Sequence, residues 1–177
     1  MIRRYRRSVI TLAALVLAAP SGRALAERPN RVVVLQGTAE GELRVVEGVE
    51  MDCFDTPMVN PRNGHVIGTA TDCLDLASVV PIGDDGGFGI DNTTFFHFHN
   101  GTVAAASRTT IQPVEDPSEG PTHITGEVSA EDNVLPHLGT GPFAGRTGRT
   151  RLSGIVDMSA LGSNVISFDC VFVIDLD

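Results

Sequence analysis

The 177-residue chain carries 22 acidic residues against 13 basic ones, all of them arginine, for a net charge of −9 at pH 7. A surface this acidic repels nucleic acid and anionic lipid, which excludes the function classes that need a basic face. No window beyond the amino end shows helical apolar spacing, so the chain reads as all-β.

The amino end reads as an export signal. Arg3, Arg4, Arg6 and Arg7 precede the apolar run Val9 to Ala19, and Ala24-Leu25-Ala26 supplies the small-x-small pattern of a cleavage site. The run is short for a membrane span and no second one follows, so no membrane contact is expected after cleavage. Arg6-Arg7 also fits a twin-arginine signal, and both export routes stand. Taking 1–26 as the leader removes five of the 13 arginines and none of the 22 acids. What remains is 151 residues with a net charge of −14, the size of one domain. Residues 27–42 read as an amino-terminal extension or an additional strand, and 43–177 as the folded domain.

Period-two runs separated by Gly, Pro, Asn and Asp mark the strands. The first is expected to place Leu43, Val45, Val49, Met51 and Cys53 on one face, interrupted only by Glu47. Pro61-Arg62-Asn63-Gly64 is a hairpin signal, and Val66 to Leu76 forms the second strand. Folding the chain about Asn63 brings together residues whose numbers sum to 126, so Cys53 faces Cys73. An exported chain favours a disulfide there, leaving Cys170 reduced and buried on the last strand. A rival pairing of Cys170 with either partner, across the seam between first and last strands, stays open.

Gly83-Asp84-Asp85-Gly86-Gly87 is a turn, after which Phe88 to His99 runs into Asn100-Gly101 and returns as Val103 to Gln112. His97 and His99 lie two apart and can chelate zinc or copper, but no third ligand is spaced to join them. Two solvated histidines beside a turn is the preferred reading, and no cofactor is expected. Pro113 to Pro121 is a polar loop, with strands expected at Thr122 to Ala130, Val134 to Leu138, Arg149 to Met158 and Val165 to Leu176. Between the sixth and seventh strands, Gly139-Thr140-Gly141-Pro142-Phe143-Ala144-Gly145-Arg146-Thr147-Gly148 describes a sharp bend that buries one ring. That count of eight strands suits a closed antiparallel barrel, where closure removes exposed edges and leaves a narrow lumen.

The glycine bend, preceded by His123-Ile124-Thr125-Gly126 and followed by Leu152-Ser153-Gly154, resembles the turn between two late strands in the allene oxide cyclase and dirigent superfamily. The likeness spans roughly residues 43 to 177 and departs from the pattern at Leu138 and at Arg146-Thr147. It implies an eight-stranded, calycin-type barrel, often oligomeric, whose lumen binds an apolar small molecule. In such barrels confinement of a reactive conformer steers a cyclisation or coupling, so an isomerase-like activity is an expectation here.

Candidate site residues follow. Glu47 is a carboxylate on an otherwise apolar face, placed to act as a general base if it points inward and to be a solvated rim residue if it does not. Arg108 is a candidate second catalytic group, and Arg108 or Arg151 is the candidate partner in a structural ion pair with Glu47. With no tryptophan, and Tyr5 in the leader, the lumen would be lined by aliphatic residues and phenylalanines, with Phe96, Phe98 and Phe143 the ligand-contacting rings. The competing reading is a non-catalytic exported barrel whose interior is filled by its own side chains.

Overall fold

The computed structural model describes residues 31–114, 120–126 and 131–177. The expected leader lies outside the described residues, as do most of the Pro113–Pro121 loop and the end of the strand expected at 122–130. Eight antiparallel strands close into a barrel: β1 (Arg31–Val46), β2 (Val49–Val59), β3 (Val66–Ile82), β4 (Gly87–Phe98), β5 (Gly101–Pro113), β6 (Pro121–Gly126), β7 (Gly148–Asp157) and β8 (Val165–Leu176). Each pairs with its sequence neighbours, and β1 closes the ring against β8 in a continuous register from Arg31↔Ile174 to Glu40↔Val165.

The expected count of eight holds, but two members change. Of the two readings open for residues 27–42, an extension or an additional strand, the described part 31–42 is strand: it makes up most of β1 and forms the closing seam. The stretch expected as one strand through 43–53 is instead a hairpin, turned by Glu47 and Gly48 at φ of 49° and 88°. Positive φ at both central residues gives the twist that joins two antiparallel strands tightly, and Gly48 supplies the second without strain. The turn reverses the facing, so Leu43 and Val45 pair with Asp52 and Glu50 while Met51 and Cys53 lie on the other side. Conversely, the Val134–Leu138 segment is not a strand; it makes one isolated bridge, Val134↔Ala105. The segment is shared between two strands. Toward β7, Asn133 Oδ1 accepts from Thr150 N at 2.6 Å and Val134 N donates to the Gly148 carbonyl. Toward β5, Ala106 N donates to the Asn133 carbonyl and Leu135 N to the Ala104 carbonyl, and Pro136 has no N–H to continue that ladder.

The Cys53–Cys73 disulfide forms, between residues directly opposed in the β2–β3 register. It packs on the outer face with Met51, Val46 and Phe95, as a small cluster separate from the lumen. Cys170 is reduced and buried inside.

The barrel has two mouths. At one end the glycine bend folds inward as a single 3-10 turn, Gly141–Phe143, and inserts the Phe143 ring against Phe98 at a centroid distance of 5.6 Å. The bend is stapled to the β4–β5 turn by backbone contact: a Cβ at Gly141 would stand 2.1 Å from the Asn100 carbonyl, and one at Gly101 would stand 2.3 Å from that of Thr140. Only glycine permits that approach. Arg31 caps the plug, its guanidinium 4.4 Å from the Phe98 centroid and 5.1 Å from that of Phe143. Behind it the lumen is filled by Met58, Phe96, Phe172 and Ile174, with Phe96 edge-on to Phe172 at 5.0 Å. The opposite mouth is bordered by the β3–β4 and β7–β8 connections and is open.

Candidate functional site

Alternation along β2 to β5 sends Phe54, Leu74, Ile90 and Ile111 inward near the open mouth. Beyond them β3 carries a bulge between Asp75 and Val80 that interrupts its pairing with β4. A bulge bends the strand locally, and here Leu76, Val79 and Pro81 line the mouth instead of closing it. The result is a cavity of about 530 Å³, walled also by Phe88 and Met158. Asp52 and Asn164 are the polar side chains on this wall.

Those two groups differ in how far they are committed. Asn164, at φ 56°, donates from Nδ2 to the Gly41 carbonyl at 2.6 Å, and Gly41 N donates back to its carbonyl at 2.8 Å. It is a clasp between the β1 departure and the start of β8. The half-buried Asp52 carboxylate has no hydrogen bond or ion pair among the described residues.

Deeper in the lumen lies a polar network. Ser107 and Thr109 donate to Asn92 Oδ1 at 2.9 and 3.0 Å, and Asn92 Nδ2 and Thr94 Oγ1 donate to Asp72 Oδ1 at 3.0 and 2.7 Å. Every link points toward the Asp72 carboxyl. Burial raises the Asp72 pKa above the ordinary carboxylate value, while the two donors, Thr94 and Asn92, oppose the shift. Burial likewise pushes the Cys170 thiol up to about 12, so it is not a nucleophile at neutral pH.

The expected site residues are scattered by the fold. Glu47 sits in the exposed β1–β2 turn, off the lumen wall, with Oε1 2.6 Å from His137 Nε2. Arg108 lies on the outer face of β5 and pairs with Asp91 (Nε to Oδ1, 2.8 Å), not with Glu47. Phe96, Phe98 and Phe143 are gathered in the filled half behind the plug, away from the open cavity. His97 is on the outer face between Thr71 Oγ1 at 3.3 Å and Thr102 Oγ1 at 3.1 Å, stacked on Phe95, and burial lowers its pKa. His99 is exposed in the turn, and among the described residues no three His, Cys, Asp or Glu side chains gather as a metal set.

Sequence reasoning expected an aliphatic lumen wall but did not place Asp52 on it. The Leu74/Leu76 and Phe88/Ile90 alternation marks these residues as sharing a face, but which mouth stays open depends on where the bend folds. Against protein-family models, curated proteins and solved structures the chain finds no match.

Proposed function

We propose that this chain is an exported barrel of the allene oxide cyclase and dirigent type that binds an apolar small molecule at its open mouth. The observation that carries the reading is the cavity: about 530 Å³ bounded by Phe54, Leu74, Leu76, Phe88, Ile90 and Ile111. That volume and that apolar wall suit a compact organic ligand. Confinement there would hold a flexible substrate in one conformer, which is how binding becomes a steered cyclisation or coupling. The Cys53–Cys73 bond is consistent with an oxidising, extracellular or periplasmic setting.

The competing reading, a barrel kept for stability alone, draws support from the packed half behind Phe143. A neutral, environment-sensitive hydrocarbon dye such as diphenylhexatriene separates the two. Saturable one-to-one binding is expected, weakened at least about tenfold by Leu76→Trp. Leu76 is 56% exposed on the cavity rim, so the larger ring obstructs the chamber without entering the core. Absence of saturable binding would favour the self-filled barrel.

A further inference from the structure

Charge is distributed unevenly along the barrel. Arg31 begins β1, Arg62 lies between β2 and β3, Arg146 follows the plug, and Arg149 and Arg151 lie in the first half of β7, so all five lie toward the plugged end. Toward the open mouth the described arginines are Arg44 and Arg108, and both are engaged on the outer wall. Arg44 bonds Glu42 and Asp55 at 3.1 and 2.6 Å, and Arg108 bonds Asp91. Among the described residues, no arginine or histidine lines the cavity.

The open mouth carries acids instead. Asp52 lines the cavity, Glu50 follows on the same face of β2, and Asp84 and Asp85 lie in the β3–β4 turn beside the lining residues Gly86 and Gly87. A carboxylate at an apolar wall without a partner is unfavourable unless a ligand group or water satisfies it. An anionic lipid or fatty acid entering here would bring a second negative charge against Asp52 with no base to offset it.

We infer that the cavity selects an apolar amine, its hydrocarbon body in the chamber and its protonated nitrogen on the Asp52 carboxylate. This rests on the cavity being a ligand site and adds the sign of the ligand's charge. A charge-assisted hydrogen bond at a partly desolvated carboxylate favours the cation over a neutral isostere of equal length.

Dodecylamine, dodecanol and dodecanoate, each below its micellar concentration, are titrated against protein loaded with diphenylhexatriene. The expected order is amine, then alcohol about tenfold weaker, then carboxylate weaker still. Asp52→Asn brings amine and alcohol within about threefold of each other and leaves the alcohol unchanged. Asp84→Asn, an exposed acid outside the cavity, leaves the amine preference intact and so accounts for general attraction to an acidic protein. Dodecanoate competing as well as the amine, or an amine preference that survives Asp52→Asn, overturns the inference while leaving the ligand site standing. Failure of the dye and all three chains to bind removes the ligand site and the inference with it.

Discussion

Phe143 offers the sharpest test of the architecture, because it is a single ring carried by an otherwise glycine-rich segment to a defined place. The side chain is 7% exposed, in contact with Phe98 and under Arg31. Burying a phenylalanine removes about 150–250 Å² from water, and at ~25 cal/mol/Å² that is about 4–6 kcal/mol as an upper bound. The site lies at a barrel end and can partly collapse, so Phe143→Ala should cost about 3–4 kcal/mol, toward the lower part of the usual phenylalanine range. For a domain of this size that lowers Tm by roughly 6–15 °C. Urea unfolding with the disulfide intact measures it. Phe143→Leu, which keeps most of the apolar volume, should lose about 1–1.5 kcal/mol. A double-mutant cycle with Arg31→Ala should return a coupling of about 0.5–1 kcal/mol for the cation resting on the ring. Dye affinity at the opposite mouth should stay within about threefold of the unaltered protein. A Phe143→Ala cost under about 1 kcal/mol would refute the seating of the ring in the lumen and reduce the bend to a surface loop.

Three further outcomes follow from the same structure. Replacing both Cys53 and Cys73 by serine removes a cross-link of sequence separation 20 and should cost about 3 kcal/mol. Peptide mapping without reduction should recover that link and a free Cys170. Because the folded-state pKa of Asp72 is raised above its unfolded value by burial, the folded chain holds the proton more tightly. Its contribution is therefore fully present below the unfolded pKa and is lost as pH rises through the folded pKa. Asp72→Asn should flatten that decline above the ordinary carboxylate range, and an unchanged slope of stability against pH would show that Asp72 is not desolvated. Gly141→Ala puts a methyl 2.1 Å from the Asn100 carbonyl at a φ of 59° and should cost at least about 2 kcal/mol by thermal unfolding, whereas Gly145→Ala, with open space around it, should show only the backbone penalty.

Local rules made part of the fold legible. A hairpin about Asn63 sets the register of β2 against β3, and that register alone brings Cys53 to Cys73. Alternation on the last strand marked Ile166, Phe168, Cys170, Phe172, Ile174 and Leu176 as one face; the first five are buried and Leu176 is partly buried against them. One stretch misled the same reasoning: Val134 to Leu138, expected as a strand, is divided between Gly148 and Thr150 on β7 and Ala104 and Ala106 on β5. Arg31 to Gln36, open to reading as an extension or an additional strand, supplies the seam that closes the barrel. Glu47 looked like a lone acid on a dry face because a strand of period two and a hairpin with a two-residue turn produce similar patterns, and only the positive φ at Glu47 and Gly48 separates them.

Pattern and turn chemistry, acting over a few residues, determined that this chain is all-β, where most strands turn, and which cysteines meet. Tertiary closure decided the rest. It chose the mouth that Phe143 fills and the one left open, sent Arg108 and Glu47 to the outer surface, and set Asp52 on an apolar wall without a partner among the described residues. Those outcomes depend on how distant strands curve and where a bulge bends one of them, and neither property is carried by the residues of a single window.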